Sequence, residues 1–184
     1  MKKAIDVAWM FPEFELIRDR ALKDRIVAVW QELWAASEFT DIGDVPTSGS
    51  IPYPNLPHSR AVLSLCVRIA DVFEQVHGTK VDRDTLIAAA ILQDASKVVE
   101  YRPRPGGGVD RTEIGQTYPH AYWAGMLATK HGIAPAIVHI ILFHSPSAAK
   151  FPASLEGKII YYADQLDVIA ISGDHWKKES FIYR

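Results

Sequence analysis

Five side chains of types that commonly bind metal ions occur on five separate apolar segments of this chain. They are His58, Asp94, His120, His144 and Asp164. Helical periodicity puts each of them on the apolar face of its segment; Asp94, for example, follows Ile87, Ala90 and Ile91 on one side of a helix. A carboxylate that faces a core costs several kcal/mol unless something compensates it. Because a metal ion compensates carboxylates and imidazoles together, the pattern predicts a buried metal site.

Each of these residues also has a purely structural interpretation. A lone histidine on an apolar face is more often a hydrogen-bonded core residue than a ligand, and an inward aspartate more often caps a helix or pairs with a cation. The five together are harder to explain in this way, because each would need a separate partner. We therefore favour one shared site.

The composition is that of an ordinary globular protein. The chain has 184 residues, of which 48% are hydrophobic and 23% charged, a length that suits one domain with a core that needs no disulfides. A net charge of −2 gives no bulk electrostatic reason to expect binding to nucleic acid or to an anionic membrane. The single Cys66 lies in an apolar stretch and is predicted to be a core residue. We expect no signal peptide, no membrane-spanning segment and a cytoplasmic location.

Apolar residues recur at helical spacing along most of the chain. The pattern predicts one or two helices over residues 12–37 and further helices over 58–77, 84–99, 118–131, 135–144 and 154–172. A loop is predicted at 40–57, where four prolines fall within twelve residues, and a second loop in the stretch RPRPGGGVD. No segment alternates convincingly as a strand would, so we expect an all-α fold.

The same pattern gives a domain prediction. We expect one domain over residues 1–184, with an N-terminal helical extension at about 1–40 and a core at about 58–172. The terminal stretch GDHWKKESFIYR is mixed in character and predicts at most a short helix, with His175 at the surface.

The order of these motifs resembles the HD-domain superfamily. After His58 the chain carries ILQDASK, YPHAYWAGML, ILFHS and YYADQLD. The family is named for an adjacent His-Asp pair, which an earlier histidine precedes and a distant aspartate follows. The resemblance covers about residues 58–168 and implies an HD-like helical bundle.

The resemblance also implies a division of the ligands between metals. The first metal would be held by His58, Gln93, Asp94 and Asp164. Family members with two additional histidines hold a second metal, which implies that Asp94 bridges the two ions and that His120 and His144 serve the second. Gln93 departs from the family, because it stands where the pair has its histidine. A neutral amide oxygen can coordinate a hard cation, but it is a weaker ligand than imidazole for zinc or iron.

The leading hypothesis is metal-dependent hydrolysis of a small phosphate ester or nucleotide. A divalent ion (Mn, Fe, Zn, Co, Ni or Mg) lowers the pKa of its bound water and polarises a phosphoryl oxygen. Asp94 or Asp164 would orient that water and accept its proton. Lys97 would stabilise charge on the phosphate unless it only forms a salt bridge to Asp94 or Glu100. The candidate substrate-binding residues are Lys97, Arg102, Arg104 and Arg111. The three arginines are also compatible with a solvated basic loop.

Two other functions remain open at this point. Some small HD-fold proteins hold two irons and use oxygen to cleave a carbon bond, and iron content with an oxygen requirement would identify that class. Alternatively, the fold binds a small molecule without metal and uses the Gln93 amide as donor and acceptor. In all three cases the expected partner is a small molecule rather than nucleic acid or a membrane, and a homodimer is compatible with the N-terminal aromatic residues.

Overall fold

The computed structural model describes residues 2–51 and 53–172, which are almost entirely helical. The helices are α1 Val7–Met10, α2 Arg20–Ala36, α3 Asn55–His77, α4 Arg83–Leu92, α5 Lys97–Glu100, α6 Glu113–Thr117, α7 Tyr122–Lys130, α8 Pro135–Phe143 and α9 Leu155–Ser172. Short 3₁₀ turns occur at Pro12–Leu16 and Ile42–Asp44. The prediction of an all-α fold is confirmed, and the predictions for residues 173–184, including His175, lie outside the described residues.

Helix α4 forms the centre of the core. Every residue from Leu86 to Leu92 is at most 1% exposed. The helix contacts α2, α3, α8, α9 and the 3₁₀ turn at Pro12–Leu16, so it is covered on all sides. Its three consecutive alanines, residues 88–90, allow these neighbours to approach closely. The end of α4 is therefore held firmly inside the protein.

The predicted helix over 84–99 is interrupted after its first nine residues. α4 ends at Leu92, and the chain then passes through tight turns before α5 begins. In these turns the N–H of Ala95 donates to the backbone carbonyl of Leu92, and the N–H of Lys97 donates to the backbone carbonyl of Asp94. Each of these bonds spans three residues rather than the four of an α-helix.

A β-hairpin follows α5, contrary to the expectation that the chain has no strands. Strand β1, Tyr101–Pro103, pairs antiparallel with β2, Val109–Arg111. Three consecutive glycines in the connecting turn, Gly106–Gly108, all have positive φ, which other residues rarely adopt. The predicted loop RPRPGGGVD is thus the turn of the hairpin and parts of its strands. Strands of three residues are too short to produce a visible alternation of apolar and polar positions.

Two helix starts also differ from the predictions. α3 begins at Asn55, inside the predicted loop, and Pro57 lies in its first turn, where the missing N–H of proline removes no helical hydrogen bond. α7 begins only at Tyr122, because Ala121 before it has a positive φ of 65° and cannot belong to a right-handed helix. The predicted bounds of α8 and α9 agree with the structure to within one residue.

The prediction that Cys66 is a core residue is confirmed. Cys66 is completely buried, and no helix among the described residues has the length and apolar character to cross a membrane. Trp30 and Trp34 of α2 are buried in the core, whereas Trp9 is largely exposed. Neither the homodimer nor the division into an extension and a core is tested by these observations, and both stay predictions.

Candidate metal centre

Asp94 lies at the point where three histidines meet. Its Oδ1 is 3.0 Å from Nε2 of His120 and 3.7 Å from Nε2 of His144. Its Oδ2 is 3.5 Å from Nε2 of His58. The same nitrogen of His58 is 3.1 Å from Oδ1 of Asp164. The structure therefore brings together the five residues from five segments, and the two oxygens of Asp94 face different histidines.

Each of the three histidines also has a fixed partner for its other ring nitrogen. Nδ1 of His58 is 2.6 Å from the carboxylate of Asp167, and Nδ1 of His120 is 3.1 Å from that of Glu100. Nδ1 of His144 is 2.8 Å from the carbonyl oxygen of Ile141. An acceptor at Nδ1 favours the neutral tautomer that carries its proton there and its lone pair on Nε2. We infer from these contacts that Nδ1 carries a proton in all three rings, which leaves Nε2 as the atom that a metal ion at Asp94 would bind.

The donor atoms fit a divalent transition-metal ion. Asp94, His120 and His144 offer one ligand atom each within 4.8 Å of one another, and no other group of three in the described part of the chain meets this spacing. Imidazole nitrogen with carboxylate oxygen is a donor set that zinc, iron, manganese, cobalt and nickel accept. The set is almost completely enclosed, since His144 is 2% and Asp94 4% exposed. His120 has the most exposed side chain of the three, at 19%.

Gln93 is a buried amide without a partner. It is 0% exposed, and neither its Oε1 nor its Nε2 makes a hydrogen bond with the described residues. A buried polar group left unpaired costs about 1–3 kcal/mol. A cation or a water molecule on the amide oxygen would remove part of this cost. Position 93 thus fits a ligand position, although its donor is neutral and weaker than an imidazole.

Substitution of Gln93 by histidine should strengthen metal binding. We expect Gln93→His to lower the dissociation constant of the bound ion by about tenfold, the scale on which single contacts at metal sites act. The measurements are elemental analysis and metal titration of protein purified without chelators. Gln31→His, at an exposed position of α2, is the matched control. Unchanged metal content in Gln93→His would mean that position 93 does not reach the ion.

Two histidines of the centre, His58 and His120, have raised pKa values. Burial lowers the pKa of His58, but hydrogen bonds to Asp164, Asp167 and Asp94 outweigh it, so this pKa lies well above its usual value. Burial and the charge of a nearby lysine lower the pKa of His120, yet the carboxylates on its two sides raise it overall to about 9. The carboxylates around these two imidazoles therefore strongly favour positive charge at the ring nitrogens.

The buried carboxylates explain this preference for positive charge. Burial raises the pKa of Asp94, but the charge of Lys97 and hydrogen bonds from the histidines hold it well below its usual range. Burial likewise raises the pKa of Glu100, and the nearby His120 lowers it overall to about 2. The centre contains four buried carboxylates, those of Asp94, Glu100, Asp164 and Asp167. The groups that offset them are the ammonium of Lys97 and the two imidazoles of raised pKa, so negative charge remains in excess. This excess of negative charge attracts divalent cations.

Lys97 and Arg111 meet at one aromatic ring. Nζ of Lys97 is 4.0 Å from Oδ1 of Asp94 and 6.0 Å from the centre of the Tyr101 ring. The guanidinium of Arg111 lies 5.9 Å from the same ring and donates to the carbonyl of Gly115. Lys97 therefore borders the candidate metal centre, and Arg111 is connected to it through Tyr101. That either residue binds substrate stays a prediction.

The other two candidate substrate-binding residues lie apart from this group. Arg102 and Arg104 are exposed on the hairpin, and Arg104 is 3.7 Å from the carboxylate of Asp110 in the opposite strand. No contact joins either arginine to the histidines or to Asp94 in the described residues. Their position agrees with the alternative interpretation as a solvated basic loop.

Sequence reasoning missed the roles of two residues. Asp167 follows Asp164 by three positions on α9, so helical periodicity could have placed both on one face. Glu100 follows Lys97 by three positions and was considered only as its salt-bridge partner. In the structure Glu100 contacts His120, twenty residues further along the chain. No sequence pattern indicates that contact, because it depends on the hairpin and the turn between them.

Comparison with known proteins gives a family and one curated relative. The family model of the HD domain matches residues 56–169. A dihydroneopterin 2′,3′-cyclic phosphate phosphodiesterase of Methanocaldococcus jannaschii is 29% identical over 113 residues. The alignment covers 61% of this chain and 45% of the relative, so the chain matches less than half of that protein. No solved structure gives a significant match.

Proposed function

The chain belongs to the HD-domain family, and from this premise we propose that it is a metal-dependent phosphohydrolase that cleaves a small phosphate ester. The observation that carries the proposal is the convergence of three Nε2 atoms, from His58, His120 and His144, on the two oxygens of one buried aspartate. Metal-binding histidines in proteins usually donate their other ring N–H to a fixed acceptor, as the Nδ1 contacts of these three histidines allow. The predicted family membership and the helical fold agree with this function.

The proposed ligands form two sets that share Asp94. One set is His58, Gln93, Asp94 and Asp164, and the other is Asp94, His120 and His144. When bound there, a divalent ion supplies Lewis acidity and a water molecule of lowered pKa. Asp94 and Asp164 would orient such a water and accept its proton, which the departing alcohol oxygen would take up when the ester P–O bond breaks.

Lys97 is suited to stabilise the negative charge that develops on the phosphoryl oxygens. Burial lowers the pKa of its ammonium, but the charges of Asp94 and Glu100 raise it overall above its usual value, so Lys97 is protonated at neutral pH. It is only 8% exposed, and a charge interacts more strongly in such surroundings than in bulk water. A phosphodiester carries one negative charge, which one buried ammonium can balance.

The substrate proposal extends only to a class. The relative from M. jannaschii is named for a 2′,3′-cyclic phosphate, which supports cyclic phosphodiesters as the first compounds to test. Linear monoesters and 3′,5′-cyclic nucleotides test how far the specificity extends.

Removal of metal should abolish hydrolysis and lower stability. We expect chelator-treated protein to lose activity against nucleoside 2′,3′-cyclic phosphates and to recover it with Mn²⁺, Co²⁺ or Fe²⁺. An ion at 100 times its dissociation constant adds about 2.7 kcal/mol to the free energy of unfolding, which a thermal melt detects. Protein that takes up no metal and gains no stability would instead support a metal-free binding module. Bound iron with oxygen consumption would support the carbon-bond-cleaving oxygenase.

A further inference from the structure

Glu100 is buried beside the candidate centre but belongs to neither set of proposed ligands. Both oxygens of its carboxylate are 3.1 Å from Nδ1 of His120. Oε1 also accepts hydrogen bonds from the hydroxyl of Ser96 at 2.6 Å and from the backbone N–H of Ala121 at 3.1 Å. One carboxylate thus holds the His120 ring and the backbone immediately after it.

His120 needs an acceptor from elsewhere in the fold. His144 follows helix α8, and its Nδ1 finds a carbonyl three residues earlier in the same segment. His120 instead precedes α7. The next residue, Ala121, has a positive φ, which residues other than glycine rarely adopt, so His120 lies outside regular helix. No backbone carbonyl within its own turn contacts the His120 ring in the described structure. The carboxylate of Glu100 fills that role from α5.

The backbone of Glu100 is itself fixed. Its carbonyl accepts a hydrogen bond from the N–H of Thr112 at 2.9 Å. Helix α6 approaches so closely that a Cβ at Gly115 would lie 2.2 Å from the same carbonyl oxygen. With its backbone packed and its carboxylate bonded to Ser96 and Ala121, Glu100 has little freedom to move. It is therefore able to impose an orientation on the ring that it contacts.

We propose that Glu100 is a positioning residue for His120, which it holds in the tautomer and orientation that direct Nε2 to a metal ion at Asp94. The inference rests on the metal centre of the proposed function, but it requires no contact between Glu100 and substrate. It predicts an effect on metal binding that passes through His120. A purely structural Glu100 would affect only folding.

The test measures Co²⁺ binding, which does not depend on knowing the substrate. Glu100→Gln keeps the size of the side chain and one acceptor oxygen but removes the charge. We expect the dissociation constant of Co²⁺ at the site of Asp94, His120 and His144 to rise by about 10–100-fold and the visible absorption spectrum of bound Co²⁺ to change. Glu113→Gln, which makes the same change of charge at an exposed position of α6, should leave both unchanged.

A double-mutant cycle tests whether the effect passes through His120. In a His120→Ala background, Glu100→Gln should change Co²⁺ affinity by less than about twofold, since the partner is gone. Should Glu100→Gln fail to fold, Glu100→Asp keeps the charge while withdrawing it from the ring, and it should also weaken Co²⁺ binding.

The possible failures are distinguishable. If Glu100→Gln binds Co²⁺ with wild-type affinity and spectrum and only melts at a lower temperature, Glu100 is structural and the inference is wrong. If the effect is equally large without His120, Glu100 does not act through that ring. If wild-type protein takes up no Co²⁺, the metal centre of the proposed function is overturned, and the inference with it.

Discussion

Replacement of Asp94 by alanine should abolish metal binding and hydrolysis together. Its two oxygens are the atoms on which the three histidines converge, so the substitution removes the ligand that both proposed sets share. We expect kcat/KM to fall by at least about 10³-fold, beyond the 10–100-fold that loss of an outer partner costs at metal sites. Metal content per chain should fall toward zero, as measured by elemental analysis of protein purified without chelators.

The controls for this prediction separate chemistry from folding. Asp24→Ala, at an exposed position of α2, makes the same substitution away from the centre and should keep both metal and activity. Asp94→Asn preserves the size of the side chain and serves if the alanine variant does not fold. Activity that survives either substitution of Asp94 in folded protein would contradict the proposed mechanism.

Substitution of Gly115 by alanine should strongly lower the free energy of unfolding. The added Cβ would lie 2.2 Å from the carbonyl oxygen of Glu100 and 3.0 Å from its carbonyl carbon. These are backbone atoms, so no side-chain rotation relieves the contact, and α6 must move. Overpacking of this kind costs about 3 kcal/mol, or roughly 6–12 °C in melting temperature for a chain of this length. Because Glu100 holds His120, we also expect weaker metal binding.

Gly43→Ala is the matched control. Its Cβ would meet only an oxygen of the Asp41 side chain, at the ordinary distance of 3.5 Å. The change in the free energy of unfolding should stay within about 1 kcal/mol. Both variants are compared by thermal melting of chelator-treated protein, so that metal binding does not enter. Equal melting temperatures for Gly115→Ala and wild type would mean that α6 is not packed as closely as described.

Helical periodicity made much of this fold predictable. An amphipathic helix buries one face, and a residue's position in the repeat therefore predicts whether it faces the core. His58, Asp94, His144 and Asp164 are all at most 7% exposed, as expected for residues on apolar faces. The HD-family resemblance, which rested on the order of these motifs, is confirmed by the match to residues 56–169.

Periodicity did not predict the break after Leu92, the hairpin or the contact between Glu100 and His120. The break after Leu92 replaces four-residue hydrogen bonds by three-residue ones, and the hairpin uses strands too short to show a pattern. The contact of Glu100 with His120 exists only because that hairpin and the turn at Ala121 bring the two together. Such contacts are properties of the assembled fold, and no local pattern encodes them.

The complete burial of α4 has a consequence for biosynthesis. The helix is covered partly by residues 12–16 and partly by α9, which lie near opposite ends of the described chain. During synthesis, one apolar side of α4 stays exposed to water until α9 has emerged from the ribosome. Nascent chains with exposed apolar surface are prone to aggregate. Chaperone protection would therefore matter most in the interval between emergence of α4 and emergence of α9.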